Sequence, residues 1–133
     1  MRKKEIVKYF YEAVVSKQLL DELPDYMTDD CVQINGSLRT PFGIEGMRQH
    51  LIGIRKTYPD YSVKVFRQYE DGDTVISQII MRGTHKGEFI GITPTNKVIE
   101  ITGINIDKII SGKIAEHGGA ANTFEAFLGS RIH

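Results

Sequence analysis

The chain has 133 residues and a single cysteine, Cys31, which excludes an internal disulfide and suits a reducing compartment. No obvious base lies beside Cys31, so it reads as a small buried residue. Charge of one sign is not in excess. Lysine plus arginine and aspartate plus glutamate number 17 each, a formal net charge of zero. That balance excludes nucleic acid and anionic membrane as general partners. Long apolar runs are missing as well, and nothing approaches the length of a transmembrane helix. The basic start, Met1-Arg2-Lys3-Lys4, is not followed by the apolar core of a signal peptide, because Ile6, Val7, Phe10 and Val14 alternate with charges. The expected location is therefore cytoplasmic, with no membrane partner. Zinc-type His-x-x-x-His or paired-Cys spacing is absent, as are Gly-x-Gly-x-x-Gly and Gly-x-Ser-x-Gly. No metal and no cofactor are expected.

What is present is enough for a core. The chain is 41% hydrophobic and 26% charged, which fits one globular domain over residues 1–133. Ile6, Val7, Phe10, Val14 and Val15 recur at helical spacing and predict a helix over 3–17. A short second helix is expected over 19–27, limited by Pro24. A strand over 31–35 and a Pro/Gly-containing loop over 36–43 follow. Ile44, Met47, Leu51 and Ile54 draw one apolar stripe on the clearest helix. His50 lies off that stripe and reads as solvated. From Tyr61 the period changes to two, with Val63 and Val65 alternating with Ser62 and Lys64. Asp71-Gly72-Asp73 is a hairpin turn. Strands are expected over 74–82, 85–91, 98–109 and 113–118, and a helical turn over 123–128. His133 is expected to be disordered. Helices followed by an antiparallel meander make an α+β domain. A sheet this long must curl around its helices and leave a pocket between.

Parity along 98–109 puts Ile99, Ile101, Gly103, Asn105, Asp107 and Ile109 on one face. The other face carries Glu100, Thr102, Ile104, Ile106 and Lys108. If the first face lines the pocket, Asn105 and Asp107 offer hydrogen bonds to a ligand, and Asp107 could act as a base with a raised pKa. Otherwise Asp107 is a solvated residue near a strand end. His117 can exchange protons near neutral pH. Asn35 precedes Gly36 in what is also an ordinary turn dipeptide. Asn122 directly precedes 123–128 and suits a helix N-cap.

The stretch Gly83-Thr84-His85-Lys86-Gly87, the Pro94-Thr95-Asn96-Lys97 turn and the Gly112-Lys113-Ile114-Ala115-Glu116 strand start resemble the SnoaL-like polyketide cyclase family. The likeness runs over almost the whole chain. It implies the cone-shaped fold of the nuclear-transport-factor-2-like superfamily, with a curled antiparallel or mixed sheet on N-terminal helices. It also implies a single pocket, no cofactor and a homodimer formed through the sheet, for which Thr102, Ile104 and Ile106 make a suggestive outer face. In the family pattern a Glu-His pair is followed by a tryptophan and, further on, by the acid–base aspartate. Here those positions are Gly118 and Asn122, and an amide cannot serve as that acid. By the same likeness Asn35 lies near the pocket, and His85 belongs to the best-matched block. The candidate catalytic residues are thus Asp107, His117 and Asn122, and the candidate ligand contacts are Asn35, His85 and Asn105. The expected function is cyclase-type binding or acid–base conversion of a small, largely apolar carbonyl compound. The alternatives are a non-catalytic binding module and a dimeric scaffold.

Overall fold

A computed structural model describes residues 1–123 and 126. Helix α1 (Lys3–Tyr9) runs into a π-helical segment, Phe10–Val15. There the Ser16 N–H reaches the Tyr11 carbonyl and the Leu19 N–H reaches Val14, five residues back. Wide turns of this kind are rare and concentrate at functional sites. Five of the six residues in this one are buried: Phe10, Tyr11, Ala13, Val14 and Val15. The Arg55 guanidinium donates to the carbonyls of Val15 and Ser16, at 3.2 and 3.0 Å, where the segment ends. The helix expected over 3–17 is therefore two pieces. The region 19–27 likewise divides, into a 3-10 turn (Leu20–Glu22) and α2 (Leu23–Tyr26).

Six strands follow the order β2-β1-β6-β5-β4-β3. They are β1 (Met27–Asn35), β2 (Leu38–Pro41), β3 (Ser62–Asp71), β4 (Thr74–Thr84), β5 (Val98–Ile110) and β6 (Lys113–Ala121). Strands β3 to β6 are the expected antiparallel meander, while β1 joins β6 in parallel, so the sheet is mixed. The sheet is not closed. Helix α3 (Gly43–Thr57) packs on β1, and the N-terminal helical segment packs on β3. Between them the inner face of the sheet buries Val63, Val65, Val75, Ile79, Ile99, Ile101, Ile109 and Ile114. Each such side chain contributes about 1.5–3 kcal/mol when fully buried. The α3 stripe is as expected at its centre, with Met47 and Leu51 buried and Ile44 and Ile54 packed against the core.

Two expectations change. Residues 85–91 do not form a strand; they open a loop whose only bridge joins Phe89 and Ile92, among the described residues. The stretch 36–43 is not all loop, since it contains β2, an edge hairpin on β1. Both errors share a cause. Glycine and proline mark where a chain turns but not which neighbouring residues find a ladder partner, and that is a tertiary matter. Thr123 is helical, but most of the expected helical turn over 123–128, and His133, lie outside the described residues.

Candidate active site

A cavity of about 330 Å³ lies between the inner face of the sheet, the π-helical segment and α3. Apolar side chains dominate it, among them Phe10, Met47, Leu51, Met81, Phe89 and Ile101. Its polar lining comes from Tyr11, Gln33, Asn35, His50, Tyr58, Tyr61, Asn105, His117 and Thr123. That size and mixture suit a small organic ligand.

The central polar group depends on a bulge. The β5–β6 hairpin pairs Ile110 with Lys113 and Ile109 with Ile114, and then the register shifts. Lys108 faces Glu116 and Asp107 faces His117, so Ala115 is the extra residue. Opposed residues share a face, and one added residue exchanges the faces beyond it. Had the register continued unshifted, Lys108 would face Ala115, and Glu116 would stand opposite Asp107 on the inner side. With the shift, Glu116 turns outward to Lys108 (3.9 Å) and Arg39 (3.3 Å), and His117 turns inward. His117 Nδ1 then lies 2.7 Å from Asp107 Oδ1. The Tyr11 hydroxyl donates to Asp107 Oδ2 at 2.7 Å, and its oxygen lies 3.2 Å from the same imidazole nitrogen. No hydrogen bond engages His117 Nε2 among the described residues, which leaves that nitrogen for the cavity.

Asp107 is fully buried and does not line the cavity. Its link to the cavity is its hydrogen bond to His117. Burial pulls the His117 pKa down, but the Asp107 charge and hydrogen bond together outweigh it and hold the imidazole above its ordinary value. Burial, reinforced by the charge of Asp107, pushes the Tyr11 hydroxyl well above the usual tyrosine range, with the Asn105 amide acting in the opposite direction. Tyr11 stays a neutral donor at any physiological pH. Burial and the same carboxylate push the Cys31 thiol up to about 12, so it is no nucleophile.

The geometry can be set beside other proteins. A family description, SnoaL-like polyketide cyclase, matches residues 5–127. The chain belongs to that family. Among solved structures, wild-type IdmH from Streptomyces antibioticus superposes with a TM-score of 0.85 at 22% identity, covering 98% of this chain and 99% of that one. A SnoaL-like polyketide cyclase from Agrobacterium tumefaciens gives 0.83 at 18% identity over 100% and 99% of the two chains. TsrD from Streptomyces laurentii gives 0.79 at 21% identity over 96% and 94%. Likeness at this identity shows the fold alone. No curated protein matches the sequence.

Within the SnoaL-like fold the remaining candidates separate. Asn105 lines the cavity beside Tyr11 and is crowded by Gly119, where a β-carbon would overlap Asn105 Oδ1 and the Ile104 carbonyl. Asn35 lines the rim and is exposed. His85 is buried and closes its own loop. The Thr95 N–H donates to its Nδ1 at 3.3 Å, and its backbone bonds Lys97 and Asn96. It does not line the cavity, although its ring lies 6.2 Å from that of Tyr58, which does. Asn122 is exposed and points away. Its amide donates to Thr102 Oγ1 at 3.1 Å on the outer face, and its carbonyl accepts from the Ala126 N–H. At Gly118 a β-carbon would overlap the Ile34 carbonyl, so the tight β1–β6 contact leaves no room for a larger residue in this backbone.

Among the cavity residues that were not sequence candidates are Tyr11 and His50. Tyr11 reads as one more core aromatic next to Phe10, and only the fold brings its hydroxyl to a strand 96 residues away. His50 flanks the apolar stripe and lines the cavity together with Met47, Leu51 and Ile54 of that stripe. Among the described residues no cluster could hold a metal ion, and no helix is long and apolar enough to cross a membrane.

Proposed function

We propose that this SnoaL-like chain is a cofactor-independent acid–base catalyst of the polyketide cyclase type. Its substrate is a small, largely apolar carbonyl compound that enolises inside the cavity. The observation that carries this reading is His117, held at the cavity wall by a buried carboxylate and a tyrosine. Such a dyad fixes the ring and stabilises the imidazolium, so Nε2 can give a proton to a carbonyl oxygen or take it back. Asp107 positions and charges the imidazole, Tyr11 holds the carboxylate, and Asn105 orients the substrate oxygen. The lining amides and apolar side chains also support a second reading, a non-catalytic holder of the same ligand class.

The test is exchange of α-protons for deuterium in an apolar ketone dissolved in D2O. The wild type should accelerate exchange, and His117→Gln should lose about 10²–10⁴ of that acceleration. A wild type that binds the ketone without accelerating exchange would instead favour the holder. We further infer a homodimer through the outer face of the sheet. Ile104 and Ile106 are 46% and 49% exposed there, next to Ile76 across the β4–β5 register. Side by side they make an apolar surface of the kind that marks association sites. Sedimentation of Ile104→Lys checks this, since the variant should run as a monomer. The buried free thiol of Cys31 is consistent with the cytoplasm.

A further inference from the structure

The wall of the cavity carries no aspartate, glutamate, lysine or arginine among the described residues. Its titratable side chains are Tyr11, His50, Tyr58, Tyr61 and His117. Burial raises all three tyrosines. Near neutral pH only the two imidazoles can exchange a proton with a ligand. They reach the cavity from different elements. His117 stands on β6 beside Gln33 of β1, its register partner, and His50 stands on α3, which packs on β1. Enolisation needs two proton transfers on one substrate, one from carbon and one to oxygen, and one imidazole cannot make both at once.

We propose that His50 is the general base that removes the α-proton of the substrate while His117 protonates its carbonyl oxygen. The inference rests on the acid–base reading above and assigns its missing partner. A ring nitrogen of His50 takes the proton, the C–H electrons become the C=C bond, and the carbonyl π electrons take the proton from His117 Nε2. The products are the enol, a His50 imidazolium and a neutral His117, and the reverse transfers restore the ketone.

The surroundings of the two rings fit opposite roles. Asp107 supports a charged His117. His50 has no hydrogen-bonded carboxylate among the described residues. On its own helix Glu45 is occupied by Arg48 (3.4 Å) and Gln49 (2.9 Å). The polar groups that share the cavity wall with it are the uncharged Gln33 and Asn35 of β1, Tyr11 of the π-helical segment, Tyr58, Tyr61, Asn105 of β5 and His117 of β6. Its ring packs against Phe42, with centroids 6.2 Å apart. Burial of that ring, and then the charge on His117, lower its pKa. Two like groups whose environments push their pKa values apart are the pattern of an acid and a base at one site. His50 is nevertheless an exposed residue, open to solvent on one side, which lets it return its proton to water.

The experiment uses 2-tetralone as the probe, with deuterium exchange at its α-carbons followed by proton NMR. In the wild type exchange should exceed that in buffer, and His50→Gln should reduce the protein-catalysed rate by at least about 100-fold. Imidazole added to His50→Ala should restore part of the rate, which a structural role would not allow. Without any probe, His50 should titrate below an ordinary histidine in the wild type and move up in His117→Gln. Exchange by His50→Gln at the wild-type rate overturns the assignment and leaves the acid–base reading standing. A wild type no faster than buffer removes that reading and the inference with it. A His50 titration unchanged by His117→Gln also overturns the assignment.

Discussion

Asp107→Asn is the sharpest perturbation of this protein, because it keeps the shape of a fully buried side chain and removes only its charge and one acceptor. The carboxylate accepts from Tyr11 at 2.7 Å and meets His117 Nδ1 at 2.7 Å. Asparagine can still accept from Tyr11, but its amide cannot accept from the imidazole. One charge-assisted hydrogen bond is lost, about 1.5–3 kcal/mol. The loss falls toward the lower end, since a neutral amide is less costly to bury than a carboxylate. The pH dependence is more telling than the size. In the wild type His117 has a folded pKa above 6.5. Its contribution is then fully present below the unfolded value and is lost as pH rises through the folded value. In Asp107→Asn only burial remains, which lowers the folded pKa, so the same histidine makes stability rise with pH. The difference between the two proteins should therefore be largest at acid pH and shrink toward alkaline pH. Urea denaturation followed by circular dichroism from about pH 5 to 9 measures it. A difference that stays flat across this range, or a His117 NMR titration that does not move down, would refute the reasoning.

Tyr11→Phe removes one hydrogen bond to the buried carboxylate and should cost about 1.5–3 kcal/mol in urea denaturation. Ser16→Ala should cost about 1–3 kcal/mol by the same assay. Its hydroxyl donates to the Tyr11 carbonyl at 2.8 Å and accepts from the Val63 N–H at 2.8 Å, so it ties the π-helical segment to β3. Gly119→Ala forces a methyl group onto Asn105 and the Ile104 carbonyl. It should destabilise by about 1–3 kcal/mol and displace the Asn105 amide resonances in NMR spectra. Deleting Ala115 should straighten the β5–β6 hairpin and leave Lys108 opposite Glu116 and Asp107 opposite His117, so the His117 imidazole should still titrate above an ordinary histidine by NMR.

The α+β class, the α3 stripe and the β3–β6 meander were legible in the sequence because each is a local periodicity closed by a local turn. Parity along residues 98–109 also separated Asn105 and Asp107 from Ile104 and Ile106 correctly, since alternation of side chains needs no partner strand. The roles were less legible. Asp107 lies behind the cavity wall rather than on it, and depth from a surface is not written in a strand pattern. Asn122, Asn35 and His85 carry suitable chemical groups, but the hydrogen bonds that aim Asn122 outward and close His85 into its loop form with residues that only folding brings near.

The sequence by itself therefore determined α3, the strands β3 to β6, the family and the presence of an aspartate and a histidine on neighbouring strands. Tertiary structure decided that those two meet. One extra residue at Ala115 exchanges the faces of β6, and a π-helical turn far away in the chain delivers the Tyr11 hydroxyl. A strand's own alternation is a local property, but its register against a neighbour depends on which pairing buries the most apolar surface and leaves the fewest polar groups unpaired, and the whole sheet sets that sum.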